Sequence, residues 1–413
     1  MGFITFIRGN IKLVLLVATL LLCLYATVLY LTVGQRGYDT VLTDLAVRFS
    51  EVKVSMSIHK LPPRDISNYY ENYYVYFGPL SSLMLLPFVF IFGEKVPQVS
   101  LGVFSMIVSF ICVYFISRKF KFEKVDSLWL SVFFVFSTVL FSSSVINITA
   151  YQVEALGVPF ILLAITAYLY KRNAFFIGLF IALALLTRIT LVGAVAFFFF
   201  EIFYKRFTIK QFVIMLLPVV MALGLIGAYN DRRFHSVLET GYKYNISKAS
   251  DSIGKNHALG ELNIIHIPAN LYSFLIMAPE PIFLDSHKGD GFALQFPYMK
   301  ANPWGVAIWF TSPLFLFLIA RFKTNKYTLS AALTTFILSL PVFLWYSIGY
   351  AQFGYRYALD FLPFLFLVLL PCLFPKLTKI AIALIIVGVL FNLIYSISMW
   401  DMYPLFNIYP DRM

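Results

Sequence analysis

The sequence predicts an all-α polytopic membrane protein of about eleven transmembrane helices, with one short interfacial helix after the first external loop. Three observations carry this. The 413 residues are 60% hydrophobic and only 13% charged, a balance that a water-soluble chain of this length does not show. Apolar runs of about twenty residues recur from one end to the other, each long enough to cross a hydrocarbon core of roughly 30 Å as a helix. The runs are continuous, which selects helices over the alternating pattern of a barrel. The net charge of +12 would suggest nucleic acid in a soluble protein. Here Lys and Arg gather in short segments between the runs, so they report topology and no nucleic acid is expected.

Taken in order, the first run, 13–33, follows Arg8 and Lys12. It is too long for a signal-peptide core and lacks a small-residue cleavage site, so it reads as an uncleaved first span with the N-terminus in the cytoplasm. The remaining spans are 96–117, 128–146, 153–170, 174–187, 189–204, 211–229, 303–320, 328–348, 357–374 and 380–399. The segment 79–93, PLSSLMLLPFVFIFG, is short for a span and carries Pro87 at its middle. It reads as a re-entrant or interfacial helix. The positive-inside rule supports leaving it out. With 79–93 not crossing, 16 of the 32 Lys and Arg fall in short cytoplasmic segments, and the other 16 are diluted over much longer external ones. The pair 174–187 and 189–204, broken at Thr187 and Arg188, reads as a tight hairpin at the outer surface. Residues 1–413 form a single membrane domain without a separate soluble one. Cys23, Cys112 and Cys372 fall in apolar runs and read as small core residues.

Two external segments are long, 34–95 and 230–302, and function is expected there. The first holds Asp39, Asp44 and Asp65, followed by YYVYFGP at 73–79 with Tyr74 and Tyr76. An acid beside aromatic rings just outside a bilayer suits a general base; helix caps and an interfacial tyrosine belt are the plainer alternative. The second opens with YNDRRF at 229–234, where Arg233 suits a phosphate at headgroup level through its planar fork, or simply snorkels. Between the ninth and tenth spans, YAQFGYRYALDFLP at 350–363 places Gln352, Tyr355, Arg356, Tyr357 and Asp360 together. Arg356 and Asp360, four apart, share a face if a helix starts early, and an internal ion pair is then the plain outcome. Arg188, Arg233 and Arg356 on the side that the charge rule depletes suggest an anionic ligand. The five histidines lie in external loops without metal-ligand spacing. Asn147-Ile-Thr and Asn245-Ile-Ser match the glycosylation pattern, which is short enough to arise by chance.

Asp65, YYVYFGP at 73–79, a short helix ending at Phe92-Gly93, LLTR at 185–188, YNDRRF at 229–234, ETGY at 239–242 and QFGYRYALDFLP at 352–363 occur in that order. Together with the layout they resemble the integral membrane glycosyltransferases of the C superfamily, in a bacterial branch like the protein mannosyltransferases and aminoarabinose transferases. The resemblance implies a polyprenyl-phosphate sugar donor, a glycan, lipid or protein acceptor, and inverting transfer on the periplasmic or external face of a bacterial inner membrane. It implies Asp39 or Asp65, less so Asp44, as the base. Arg188, Arg233 and Arg356 would then stand on the phosphate side, with Gln352, Tyr355, Tyr357, Tyr74 and Tyr76 binding substrate. A divalent cation, Mg or Mn, belongs to the same expectation, although the first loop has no Asp-x-Asp pair and the interfacial helix opens with Gly78-Pro79 alone. A flippase or transporter and a polysaccharide polymerase or ligase are the competing readings. External charges without a visible repeat count against the transporter.

Overall fold

The computed structural model describes residues 39–56, 65–245, 251–283, 294–300, 302–350 and 352–406. The expected first span, 13–33, lies outside the described residues, as do Cys23, His59 and His287. The described chain is mostly helical, with two small antiparallel hairpins. Its elements are α1 (Val41–Ser50), β1 (Ile66–Tyr69), β2 (Asn72–Val75), α2 (Leu80–Phe92), α3 (Ser100–Lys119), α4 (Lys124–Phe136), α5 (Val139–Val145), α6 (Thr149–Leu169), α7 (Ala174–Leu185), α8 (Val195–Phe203) and α9 (Ile209–Phe234). After these come α10 (Asp251–Ala258), α11 (Ile267–Leu275), β3 (Glu280–Phe283), β4 (Leu294–Lys300), α12 (Thr328–Phe343), α13 (Leu362–Leu373) and α14 (Lys379–Phe406).

Among the described residues, α3, α6 and α9 are long and apolar enough to cross a membrane, and α4 with α5 makes a fourth if that bent pair is one span. Several expected spans are shorter or broken, each for a local reason. The run 128–146 bends by 55° between α4 and α5. There Thr138 turns its hydroxyl to Phe134 O and accepts from the Leu140 N–H, capping the new helix instead of continuing the old one. The run 303–320 is three short pieces, Ile308–Thr311, Pro313–Leu316 and Phe317–Ala320. Pro313 forces Ser312 out of helical backbone. The break expected at Thr187 and Arg188 is present, and a 3₁₀ turn, Ile189–Ala194, precedes α8.

α6 is the central helix, 89% of its apolar window being buried, whereas only 28% of α9's is. α9 leaves Val213, Leu217, Val220, Met221 and Leu225 bare, an apolar stripe of the kind that faces lipid. It sits against α7, where Gly178 lets the backbones meet: a Cβ there would stand 1.9 Å from Met215 O. α3, α6 and α8 end alike. Lys121, Lys171 and Lys205 adopt left-handed backbone, and the next N–H reaches back five residues, Phe122 to Ser117, Arg172 to Ala167 and Arg206 to Glu201. This is the helix-stop geometry that glycine usually supplies. Here lysine supplies it, its charge complementing the negative helix end.

Residues 34–95, expected as a loop, contain folded elements within their described part. α1 packs on α2, and β1 pairs with β2 from Ile66–Val75 to Tyr69–Asn72. The two-residue turn Tyr70-Glu71 has positive φ at both positions (46° and 62°), the shape that Asn-Gly ordinarily fills. Holding a non-glycine L-residue there costs roughly 1–2 kcal/mol. α2 begins where expected but its thirteen residues rise only about 20 Å. Its far end leaves Phe88, Phe90, Ile91 and Phe92 exposed.

Candidate functional site

The first turns of α6, the 187–190 break, the 356–360 turn and the root of the β1–β2 hairpin bring their charged side chains together. Glu154, on α6 and only 2% exposed, accepts from Arg188 Nη1 at 2.7 Å and lies 2.9 Å from Arg356 Nε through its other oxygen. Asp360, 1% exposed, takes Arg188 Nε at 3.2 Å and the Thr190 hydroxyl at 2.7 Å. The guanidinium of Arg356 lies 4.7 Å from the centres of both the Tyr151 and Tyr357 rings, and its Nη2 donates to the Tyr357 hydroxyl. Arg188 is 5.9 Å from the Tyr357 ring. Two arginines thus face two carboxylates, and the four formal charges cancel. Glu154 Oε2, Arg356 Nε and Asp360 Oδ1 make no hydrogen bond to any described group. The Arg356–Glu154 and Arg188–Asp360 contacts are therefore ion pairs by distance and poorly aligned as hydrogen bonds.

The expected Arg356–Asp360 pair is not formed. Residues Arg356–Asp360 are a 3₁₀ turn, in which positions four apart do not align, so each side chain takes a partner from elsewhere in the chain. Glu154 went unnoticed in the sequence because it sits inside an apolar run. Its signal was an acid one helical turn into a span, a place where charge is retained for a partner.

Asp65 stands at the root of β1 in left-handed backbone (φ 61°), which aspartate tolerates, and accepts from the Tyr76 hydroxyl at 2.7 Å. Burial and the Asp65 charge together hold the Tyr76 hydroxyl well above its ordinary range, so it stays a donor. Tyr76 packs on Tyr242 at 4.4 Å, and Tyr242 on Trp345 at 5.2 Å. Burial also raises the Tyr242 hydroxyl, opposed by Arg188. Asp65 is thus linked through Tyr76 to Tyr242, and through the chain to Gly78 at the Arg188 break. Gly78 fixes this arrangement. Its N–H donates to Thr187 O, Leu80 N–H donates to Leu186 O, and a Cβ on Gly78 would stand 2.1 Å from Leu186 O. The strand end carrying Tyr76 is therefore tied to the break carrying Arg188.

The other expected residues are held elsewhere. Asp39 accepts from the Thr149 N–H (2.8 Å), the Thr149 hydroxyl (2.9 Å) and the Val41 N–H (3.1 Å), so it anchors the N-termini of α6 and α1. Burial raises its carboxyl, and these hydrogen bonds oppose the rise. Asp44 accepts from the Thr40 hydroxyl at 2.7 Å. Arg233, 2% exposed, donates to Val75 O and to Tyr229 O and Asn230 Oδ1, and lies 3.9 Å from the Tyr229 ring centre. It clamps the end of α9 to β2 and does not join Arg188 and Arg356 at their carboxylates. Gln352 is the exception: fully buried, it donates to Trp304 O and Ile348 O and accepts from Arg356 Nη1 at 3.3 Å, so it does touch the arginine cluster. Tyr355 donates to Asn270 Oδ1 at 2.8 Å within the core, and Tyr74 packs edge-on against Phe234. Asn147 is buried, out of reach of any glycan. No group of three or more His, Cys, Asp or Glu among the described residues is placed to hold a metal ion, and Glu154 and Asp360, the buried acids of this cluster, are each taken up by arginine. This donor set does not fit the expected Mg or Mn.

The sequence matches no protein-family model and no curated protein. Among solved structures it is similar to the archaeal oligosaccharyltransferase AglB from Archaeoglobus fulgidus in complex with an inhibitory peptide and a dolichol-phosphate, at 12% identity and a TM-score of 0.40. It is also similar to the apo oligosaccharyltransferase of Archaeoglobus fulgidus, at 14% identity and a TM-score of 0.35. Each alignment covers 88% of this chain, with 51% of the first structure and 52% of the second, so the chain spans about half the length of either. A likeness this distant carries no functional argument.

Proposed function

We propose that the chain is a membrane glycosyltransferase that moves a sugar from a polyprenyl-phosphate carrier to an acceptor hydroxyl on the external face, with about eleven spans and a cytoplasmic N-terminus. One observation carries the reading: the Asp65–Tyr76 pair is tied through Gly78 to the break that holds Arg188, and Arg188 shares Glu154 with Arg356, so three distant parts of the sequence gather at one end of the buried helix α6. Asp65 is the base. It takes the proton of the acceptor hydroxyl as that oxygen forms the new bond to the anomeric carbon from the face opposite the phosphate, which inverts the centre. The carbon–oxygen bond to the phosphate breaks, and the carrier leaves as a phosphomonoester that needs little protonation. Arg188 and Arg356 stabilise the charge gathering on that oxygen. Because Glu154 and Asp360 already neutralise them, the incoming phosphate exchanges with a carboxylate instead of entering a bare positive pocket. Glu154 is the one to yield, since Asp360 is held by the Thr190 hydroxyl as well as by Arg188, whereas Glu154 faces the two arginines.

The paired charges near the membrane also favour a second reading, a carrier or flippase of lipid-linked saccharides, because buried ion pairs that can re-form are a means of changing state. One experiment separates them: release of labelled polyprenyl phosphate from a polyprenyl-phosphate sugar by the purified protein, with Asp65→Asn and Arg356→Ala alongside. Release by the wild type that both variants lose supports transfer. Lipid binding without release, unaltered in Asp65→Asn and measured across a range of supplied acceptors, moves the assignment to a carrier.

A further inference from the structure

The hairpin that begins at Asp65 continues away from the charged cluster, and its surface is lined with half-exposed tyrosines. Tyr69 contacts Tyr70 at 4.5 Å and Tyr244 at 4.9 Å. Tyr244 shares a 3₁₀ turn with Tyr242, which packs on Tyr76 at the hairpin's root. That turn is fastened to β1 by the Ser67 hydroxyl, which donates to Gly241 O at 2.6 Å, so the rings on the two elements hold a fixed relation. At the tip Tyr70 is 80% exposed, on the strained two-residue turn that asparagine and glycine would fill without cost. A bulky ring kept in left-handed backbone at a bare tip calls for a functional explanation. The four steps from Asp65 to Tyr69 extend about 13 Å at strand rise, the reach of a short oligosaccharide.

We propose that this ring-lined hairpin face is the acceptor subsite and that the acceptor is a saccharide long enough to run from Asp65 to Tyr70. The proposal rests on the transferase reading above and names its acceptor class. The chemistry favours a sugar over a lipid chain. The surface rings are tyrosines, whose faces take the apolar side of a pyranose while their hydroxyls bond its rim. The exposed Asn72, paired with Tyr69 and donating to Tyr70 O, adds an amide beside them, where an acyl chain would require aliphatic side chains. Binding at the tip leaves the terminal hydroxyl of the chain beside Asp65.

The test uses the full chain in phospholipid nanodiscs, titrated with hexaoses of mannose, glucose, galactose and N-acetylglucosamine and with the four monosaccharides. At least one hexaose is expected to bind, and Tyr70→Ala and Tyr70→Gly are each expected to weaken it about tenfold without changing monosaccharide binding. Tyr70→Gly removes the ring while relieving the turn, so its thermal midpoint should not fall, and its lost affinity cannot be assigned to a lost fold. The proposal is overturned if no hexaose binds, or if both variants bind within about twofold of wild type. It is also overturned if a fluorophore on Tyr70→Cys is quenched by brominated lipid, which would make the rings an interfacial belt. Carrier release in the assay above, without hexaose affinity, would sink the subsite and leave the transferase standing. Hexaose affinity without release would sink the transferase and with it the acceptor role, leaving a saccharide-binding site.

Discussion

Asp39 and Asp65 were indistinguishable as external acids, and their hydrogen bonds now set them apart. Asp39 spends its oxygens on the start of α6, so Asp39→Ala is expected to lower stability by about 1 kcal/mol, the ordinary worth of a helix N-terminal anchor, and to keep release activity. Asp65 has a hydroxyl donor on Oδ1 and is tied through Gly78 to the Arg188 break, so Asp65→Asn is expected to reduce release by about 10²- to 10⁴-fold with little change in thermal midpoint. Equal losses from both substitutions would remove this distinction. Arg356 gives a second contrast. Its flat guanidinium lies 4.7 Å from the centres of both the Tyr151 and Tyr357 rings, contacts that a lysine ammonium does not reproduce, so Arg356→Lys should behave like Arg356→Ala in the release assay. What the sequence concealed at this scale is partnership. Arg188 and Arg356 stood out as cations on the wrong side, but Glu154, which holds both, was submerged in an apolar run.

At the scale of elements, the site depends on how closely the approach to α2 meets the break before α8. Gly78→Ala must push that approach away from Leu186 O, displacing Tyr76 relative to Arg188. A shift of about 1 Å is expected to slow release roughly 10²-fold while the protein remains folded, as a thermal scan beside the activity measurement would show. The opposite end of α6 supplies the control. There Glu201, fully buried, accepts from the Tyr168 hydroxyl, from Arg206 Nη2 at 2.5 Å and from the Ser330 hydroxyl at 2.6 Å, joining α6, α8 and α12. Glu201→Ala leaves the buried Tyr168 and Ser330 hydroxyls and the half-buried Arg206 guanidinium without their partner and is expected to cost about 1–3 kcal/mol, with the KM of the surviving enzyme unchanged. Element types were legible wherever composition decides them: α3, α6 and α9 follow from apolar runs, and the 187–188 break from an arginine between two of them. The β1–β2 hairpin was not, because its turn residues, Tyr70 and Glu71, are the reverse of a turn signal and its strands are only four residues each. The bends at Thr138 and Ser312 were hidden for a different reason: hydropathy averaged over a run does not see one capping hydroxyl or one proline.

For the whole molecule, the open matter is how many times the chain crosses the membrane, and α2 decides the parity. Thirteen residues rise about 20 Å, short of a hydrocarbon core of roughly 30 Å, and the aromatic far end is better placed at an interface than across it. If α2 does not cross, the Lys121, Lys171 and Lys205 turns all lie on the side opposite the β1–β2 hairpin. Their shared lysine-capped helix stops then become one cytoplasmic surface, as positive charge requires. If α2 did cross, those turns would stand on the hairpin's side, against the charge rule and against the packing, because Gly78 before α2 is bonded to Thr187 and Gly102 at the start of α3 to Gln152, both at the same end of α6. Single cysteines decide between these arrangements, introduced into a chain whose Cys23, Cys112 and Cys372 are replaced by alanine; Cys112 and Cys372 are buried and free, so little packing is lost. Tyr70→Cys and Leu238→Cys, both strongly exposed, are expected to react with an impermeant maleimide on intact cells. Lys171→Cys and Lys205→Cys are expected to react only after the membrane is opened. Labelling of Tyr70→Cys and Lys171→Cys from the same side would mean that α6 does not separate the two sites across the bilayer. That outcome would overturn the topology and with it the placement of Arg188 and Arg356 on the face where the lipid phosphate is proposed to leave.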